Sequence, residues 1–332
     1  MQQHIISSNC SAIPTVKSFK SFSSFKLTFI ISLILLSTLI EAVPTPFSSS
    51  FLNKRNDNPS NDDLKTFADF AAAAYCQSSF FPKWNCGLLC NATNGTVVTF
   101  IATHEENKLI VVSFRGTVPD NIKTVITDAK FLFTDYPPAK DAKVHTGFYQ
   151  AFLETQSDVF NEVQNLHKQH PDFKVLYTGH SLGGALTLLS ALDLVQNSTS
   201  FIPNKNFFVV TYGQPRVGNS VFSKYVDKTL KVTRVTNGDD PVPHLPPQFV
   251  GYEHHSGELW ISDPEKSTSA FVTCNGPEDP KCSDSVAVNQ LNANFHMGPY
   301  FGVSMRACNA INQQSLNQLT SGLGVNKLQT NI

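Results

Sequence analysis

The sequence lacks an excess of charge of either sign, because 25 lysines and arginines are balanced by 26 aspartates and glutamates among its 332 residues. Nucleic-acid-binding surfaces need clustered positive charge, and no basic patch of that kind is present. No internal repeat is visible. Cys86 and Cys90 lie close together, but no further histidine or cysteine pair completes a zinc spacing, so we expect no metal site. The charge balance therefore argues against nucleic acid as a partner, and the cysteine spacing argues against a bound metal.

The first 55 residues differ from the rest in composition. A serine-rich segment with three lysines precedes a run without charged residues from Leu27 to Ile40, and Glu41-Ala42 follows. This order predicts a signal peptide over residues 1–42, with an uncleaved anchor as the alternative because the charged region is long. Residues 43–55 end in the pair Lys54-Arg55, which fits either a short propeptide or a plain linker. These first 55 residues form a leader that predicts a secreted protein.

The cysteines and asparagines agree with export. One cysteine falls in the leader and six follow it, an even number that suits disulfides in an oxidising compartment; the sequence alone leaves their pairing open. Three Asn-x-Thr sequons would be glycosylation acceptors in an exported chain, at Asn91, Asn94 and Asn197.

One segment in the middle of the chain has the pattern of a catalytic turn. Phe173 to Thr178 is a short apolar run typical of a strand, and Leu182 to Leu194 has apolar residues at helical spacing. Between them lies Gly-His-Ser-Leu-Gly, which would force Ser181 into a tight turn at the helix N-terminus, where free N–H groups stabilise an oxyanion. We expect Ser181 to be a nucleophile; the alternative is a glycine-rich turn with a surface serine.

The remaining elements alternate between strands and helices. Strands are predicted at 97–103, 109–114, 207–212, 232–236 and 258–261, and helices at 62–75, 148–167 and 294–309. This alternation predicts an α/β fold with a mainly parallel sheet and helices on both faces. We assign residues 56–312 to this domain and residues 313–332 to a flexible polar tail.

A nucleophilic serine needs a histidine to take its proton and a carboxylate to orient that histidine, and in this fold both follow the serine in the chain. Asp239 and Asp240 come directly after a predicted strand, although both also suit a turn. Four histidines are candidates, and spacing favours His296 only mildly over the others, His244, His254 and His255.

Six ordered segments resemble the secreted fungal and yeast lipases of the class 3 lipase family. Together they extend over Asp62 to Cys308, and this combination is far more specific than one serine motif. They are Phe-Arg-Gly-Thr (114–117), Val-His-Thr-Gly-Phe (144–148), Gly-His-Ser-Leu-Gly-Gly (179–184), Tyr-Gly-Gln-Pro-Arg-Val-Gly (212–218), Asp-Pro-Val-Pro-His-Leu-Pro (240–246) and Asn-Phe-His (294–296).

The resemblance implies an α/β-hydrolase fold with a short helical lid and assigns roles to individual positions. Ser181, Asp240 and His296 would form the triad, and Thr117 with the N–H of Leu182 would form the oxyanion hole. His296 is separated from Tyr300 by one residue more than is usual in the family. His145 and His255 match structural positions. The implied disulfides are Cys76 with Cys308, Cys86 with Cys90, and Cys274 with Cys282.

The segment after Thr117 bears on the substrate. Ile122, Val125 and Ile126 form one apolar stripe at helical spacing, which fits either a permanently packed surface helix or, as in the resembling lipases, a lid over the serine. Polar, immobile lids are typical of feruloyl esterases, whereas an apolar lid suits long-chain esters.

We therefore expect a secreted triacylglycerol lipase that works at a lipid–water interface on acylglycerols. The chemistry needs no cofactor, and we expect no obligate protein partner. The alternatives are a feruloyl or other soluble-ester esterase, a phospholipase, or a catalytically silent lipid-binding protein.

Overall fold

The computed structural model describes residues 59–76, 85–86, 97–118, 130–198 and 206–306. Several sequence predictions fall outside these residues: the leader, the lid residues Ile122, Val125 and Ile126, the sequons at Asn91 and Asn94, the cysteines Cys90 and Cys308, and the tail. Across the described ranges, no helix is both long enough and apolar enough to cross a membrane.

The centre of the domain is an eight-stranded sheet, whose strands are β1 Asn85–Cys86, β2 Thr99–His104, β3 Leu109–Phe114, β6 Lys174–His180, β7 Phe207–Tyr212, β9 Thr233–Asn237, β11 Glu258–Ile261 and β12 Val272–Thr273. These strands lie side by side in the order β1-β2-β3-β6-β7-β9-β11-β12. Five neighbouring strands, β3, β6, β7, β9 and β11, run parallel, and the strands outside them are antiparallel. The predicted α/β class with a mainly parallel sheet is confirmed.

Alternate residues of the central strands face two separate apolar clusters, as the pleat of a sheet requires. In β3, Ile110 and Val112 join one cluster, whereas Leu109 and Val111 join the other. The first cluster contains side chains of three helices, which are α2 Thr146–Gln169, α3 Leu182–Asn197 and α4 Ser220–Thr229. The second contains α1 Asn61–Ala73 together with the segment from Met297 to Met305.

The first helix is joined to the sheet by hydrogen bonds as well as by packing. Ser60 caps α1 in a capping box with Asp63. Hydroxyl groups of three parallel strands then donate to carbonyl oxygens of α1: Ser113 to Phe70 at 3.0 Å, Thr178 to Phe67 at 3.4 Å and Tyr212 to Leu64 at 2.5 Å. The N-terminal helix is thus fixed against the strands that carry the site.

A small antiparallel sheet lies beside the main one, with the order β10-β8-β5-β4. Phe133 of its edge strand stacks on Tyr252 at a ring distance of 4.1 Å. Its strands are β4 Phe133–Asp135, β5 Lys143–His145, β8 Gly218–Asn219 and β10 Tyr252–Glu253.

The predicted final helix is wrong over its described part. Residues Ala293–Met297 form a short 3-10 helix, and turns continue to residue 306. Gly298, at φ 88°, leaves the helical region, and Pro299 has no N–H to continue the ladder. His296 therefore lies within a short 3-10 turn rather than in a long helix over 294–309.

Candidate active site

Ser181 lies in the turn between β6 and α3 with backbone angles of φ 59° and ψ −130°. This conformation is strained for a residue with a side chain and persists because its surroundings hold it. The Ser181 N–H donates to the Tyr212 carbonyl of β7 at 2.9 Å, and the Gly184 N–H donates to the Ser181 carbonyl at 2.9 Å. A side chain at Gly183 would collide with the Phe114 carbonyl. Helix α3 can therefore approach the end of β3 closely enough for residues 179–183 to form the predicted catalytic turn, the nucleophile elbow.

Asp240 and His296 form a buried hydrogen-bonded pair. The Nδ1 of His296 lies 2.8 Å and 3.0 Å from the two oxygens of Asp240, and the Val242 N–H donates to Oδ1 at 2.9 Å. Asp240 is 2% exposed and His296 is 0% exposed. Because a carboxylate only accepts hydrogen bonds, we assign the ring proton to Nδ1. Among the described residues, His296 Nε2 has no hydrogen-bond partner.

Two hydrogen bonds bring His296 to the end of β9. The Asn237 side chain donates to the Phe295 carbonyl at 2.8 Å, and the Asn292 N–H donates to the Asp239 carbonyl at 2.8 Å. Both link the segment before His296 to the turn that carries Asp240. A base 56 residues away in sequence is therefore held beside its carboxylate.

Tyr300 reaches the same pair despite the longer spacing from His296. Its hydroxyl lies 3.1 Å from the His296 carbonyl and 3.4 Å from Asp240 Oδ2, so its single proton has two acceptors. Burial, followed by the charge of Asp240, raises the pKa of Tyr300 well above its ordinary value, so the group remains a donor.

The two oxyanion-hole candidates flank the elbow. Leu182 is the first residue of α3, where backbone N–H groups have no partner within the helix. Thr117 follows Gly116, whose added Cβ would lie 2.5 Å from the His180 carbonyl and 2.9 Å from Ser181 Cβ. The strand β3 thus delivers the Arg-Gly-Thr segment directly against the serine.

Comparison with known proteins agrees with this geometry. The profile of the family described as Lipase (class 3) matches residues 111–250. A lipase of Rhizopus niveus is 38% identical over 263 residues, which cover 74% of this chain and 64% of that protein. A solved structure whose description reads "a serine protease triad forms the catalytic centre of a triacylglycerol lipase" is 31% identical. The match to it has a TM-score of 0.66 and covers 77% of this chain and 99% of the other. The chain belongs to the class 3 lipase family.

Two further facts qualify the comparison. The alignment leaves about a third of the Rhizopus niveus lipase unmatched, so the chain spans less than two thirds of its length. Another family relative, named secreted mono- and diacylglycerol lipase 1 from Fusarium solani, is 36% identical over 196 residues, covering 58% of this chain and 56% of that protein.

In this class 3 lipase family member, the other candidate residues lie outside the Asp240–His296 pair. His145 caps α2, where its Nδ1 accepts from the Phe148 N–H at 3.3 Å. His254 donates to the Pro243 carbonyl at 2.8 Å, and His255 donates to the Ser256 carbonyl at 2.7 Å. Asp239 contributes its backbone carbonyl, described above. These residues support the loops around the site.

The role of Arg216 was not apparent from the sequence, although the residue lies in the segment 212–218 that resembles the lipase family. This buried guanidinium pairs with Glu278 at 2.8 Å and also donates to the carbonyls of His244 at 2.6 Å and Pro246 at 3.2 Å. Asp284 lies 3.4 Å away. Arg216 therefore ties the loop after Asp240 to the segment that leads to His296. Arg216 is the one charged residue in the segment 212–218, and this was the sequence feature that could have indicated its role.

Cys274 and Cys282 form a disulfide, the pairing that the family resemblance implies. Cys76 is also disulfide-bonded, and its predicted partner, Cys308, lies outside the described residues. Only the backbone of Cys86 is described. Asn197 is exposed at the end of α3, where its side-chain amide donates to Asp193; its glycosylation stays a prediction.

The adjacent histidines 254 and 255 predict acid sensitivity. Burial, followed by the charge of Arg234, lowers the pKa of His255 from 6.5 to about 3, and burial likewise holds the pKa of His254 well below 6.5. Below about pH 6.5 the unfolded chain binds protons that the folded chain does not. Each histidine then removes roughly 1.4 kcal/mol of stability per pH unit, for His255 down to about pH 3. We expect urea unfolding to show this fall between about pH 6.5 and pH 5.

The matched variant for this prediction is His255→Gln, which removes one titrating group. Its free energy of unfolding should fall less steeply than that of the wild type, by about 1.4 kcal/mol per pH unit over the same range. Equal slopes for both proteins would contradict the assignment of His255 as a buried neutral base.

Proposed function

We propose that this chain is a secreted triacylglycerol lipase that cleaves ester bonds through an acyl-enzyme. The observation that carries the proposal is the buried Asp240–His296 pair at the serine elbow, with His296 Nε2 left without a partner in the described structure. Nδ1 carries the ring proton, so the Nε2 lone pair is available to take a proton from a hydroxyl.

The proposed reaction follows from these positions. Ser181 Oγ attacks the ester carbonyl while His296 Nε2 accepts its proton, and Asp240 stabilises the resulting imidazolium. The N–H groups of Thr117 and Leu182, with the Thr117 hydroxyl, would bind the oxyanion. His296 then protonates the departing alcohol, and the same residues activate water to release the fatty acid. These steps need neither a metal nor a cofactor.

Two exposed apolar side chains support an apolar substrate. Phe249, in a 3-10 helix after the Asp240 loop, is 88% exposed, and Leu132, which precedes the small sheet, is 61% exposed. The Tyr252 hydroxyl donates to the Leu132 carbonyl at 3.2 Å, and Tyr252 follows Phe249 by three residues, so the two exposed side chains belong to adjacent segments. Exposed apolar groups that lie close together favour contact with a lipid surface. The lid that would carry Ile122, Val125 and Ile126 remains a prediction.

Export and the substrate class rest on separate support. The leader with its even set of following cysteines supports secretion, and the Fusarium solani relative is named as secreted. The solved relative is described as a triacylglycerol lipase, whereas the Fusarium solani protein is named for mono- and diacylglycerols. Partial acylglycerols are therefore the second candidate substrate, with the same triad.

Hydrolysis of a graded substrate series tests this proposal. The series should contain a soluble short-chain ester, emulsified monoacyl-, diacyl- and triacylglycerol, a phospholipid and methyl ferulate, with Ser181→Ala as the control. We expect rates to rise when the triacylglycerol passes its solubility limit and to vanish in the variant. Activity confined to mono- and diacylglycerol would select the second candidate. Activity confined to methyl ferulate or to soluble esters would contradict the lipase assignment.

A further inference from the structure

A buried chain of hydrogen bonds runs beneath Ser181, and the reaction described above does not use it. The side chain of His180, the residue before Ser181, is 0% exposed. Its Nε2 lies 2.7 Å from the His296 carbonyl, and its Nδ1 lies 2.7 Å from the hydroxyl of Tyr75. Both ring nitrogens therefore have partners.

The chemistry of the partners fixes the direction of each bond. A carbonyl oxygen only accepts, so we assign the His180 proton to Nε2, which donates to His296. Nδ1 is then an acceptor, and the Tyr75 hydroxyl donates to it. Burial, followed by the nearby His296, holds the pKa of His180 well below its ordinary value, which agrees with a neutral ring. The ring thus receives one hydrogen bond and donates another.

At one end, the chain reaches the oxyanion segment. The Tyr75 oxygen accepts a hydrogen bond from the Gly116 backbone. Gly116 is packed so tightly that an added Cβ would collide with the Tyr75 hydroxyl and would lie 2.9 Å from Ser181 Cβ. Thr117 is the next residue. Tyr75 therefore sets the position of the backbone from which the oxyanion donor projects.

At the other end, the chain reaches the base itself. The His180 ring lies against the His296 ring at a centroid distance of 4.4 Å with a 37° angle between planes. The 3-10 helix that carries His296 has only five residues, so its own ladder gives it little rigidity. The hydrogen bond from His180 to the His296 carbonyl, at 2.7 Å, is shorter than the 3.1 Å contact of the Tyr300 hydroxyl with the same oxygen, so we expect it to help fix where that imidazole lies.

We propose that Tyr75 and His180 are positioning residues that hold the oxyanion segment and the base at a fixed separation on the two sides of Ser181. The inference rests on the proposed function, since it requires Ser181 to be the nucleophile. Neither residue needs to touch the substrate. Their effect is exerted through the Gly116 backbone at one end and the His296 backbone at the other.

Removing single hydrogen bonds should lower turnover without weakening substrate binding. Tyr75→Phe removes one hydroxyl, leaves His180 Nδ1 without its donor and frees the Gly116 backbone, and we expect kcat to fall about tenfold with KM within about twofold. His180→Leu breaks both bonds and should lower kcat about a hundredfold. His180→Asn can retain the acceptor, and His180→Gln can retain the donor. Both should therefore lie between His180→Leu and the wild type.

The experiment measures hydrolysis of p-nitrophenyl butyrate, a soluble ester, per active site titrated with a phosphonate inhibitor. Titration counts only folded sites with a reactive serine, so lost protein does not count as lost turnover. Tyr136→Phe is the matched control, because it removes a buried hydroxyl that bonds Gln196 at 2.8 Å in the other apolar cluster. Ser181→Ala gives the background.

The outcomes separate the two proposals. A tenfold loss of kcat per site in Tyr75→Phe, with Tyr136→Phe close to the wild type, supports the positioning role. A kcat within about twofold of the wild type in Tyr75→Phe, or an equal loss in Tyr136→Phe, overturns it while the serine mechanism stands. A wild type that hydrolyses no ester overturns both. If Tyr75→Phe yields no titratable sites, His180→Gln is judged against His180→Leu by the same rule.

Discussion

Asp240→Asn is expected to lower kcat about 10⁴-fold while leaving the fold intact, the effect known for triad aspartates. In the wild type, Oδ1 accepts from the Val242 N–H at 2.9 Å, and Oδ2 faces His296 Nδ1 at 2.8 Å. The asparagine carbonyl would keep the Val242 bond, which turns the amide NH₂ toward Nδ1. His296 would then have to carry its proton on Nε2, where it cannot accept one from Ser181.

Steady-state kinetics on a soluble ester and thermal unfolding check this prediction together. Asp239→Asn is the matched control, because it changes the same charge at the adjacent position, whose carboxylate makes none of these contacts. We expect that control to stay within about threefold of the wild type. Comparable losses in both variants would show that charge in this loop, and not the tautomer of His296, limits the reaction.

Gly213→Ala is expected to lower kcat about 10²-fold or more. Gly213 has φ 55°, and an added Cβ would lie 2.6 Å from the Tyr300 hydroxyl, 3.0 Å from Asp240 Oδ2 and 3.2 Å from His296 Cε1. One methyl group would therefore push on three groups of the site at once. Displacements of about 1 Å are enough for a loss of this size.

The control for Gly213→Ala must share its backbone strain without the collision. Gly276 has φ 83°, and an added Cβ there would meet nothing within 4 Å. Gly276→Ala should lower the free energy of unfolding by about 1 kcal/mol and leave kcat per titrated site unchanged. If Gly213→Ala loses only stability and keeps its turnover per site, close packing at Gly213 is not what positions the pair.

Local patterns in the sequence were sufficient to predict the elbow and six of the eight strands of the main sheet, but not β1, β12 or the small sheet. The strands at 109–114, 207–212 and 258–261 have the predicted bounds, because short apolar runs there are flanked by polar turns. Ser181 could be placed because its strand, turn and helix are consecutive in the chain. Residue patterns alone did not choose among four histidines, and the family resemblance was needed to select His296.

The predicted helix over 294–309 is wrong because the Gly-Pro pair between Met297 and Tyr300 interrupts it. These side chains are buried by packing against α1 and the sheet, so their spacing reflects tertiary contacts rather than a helical face. The contacts of His180 could not be found either. Tyr75 and His296 lie 105 and 116 residues away from it, and no local pattern encodes such distances.

The position of α1 has a consequence for when the protein gains activity. Helix α1 comes first in the described chain and packs in one cluster with the segment from Met297 to Met305, which comes last. The elbow comes from the middle of the chain and the base from near the end of the described residues. Synthesis from the N-terminus therefore leaves Ser181 without His296 until nearly the whole domain has been made. A chain truncated before residue 296 would accordingly contain the proposed nucleophile without its proposed base.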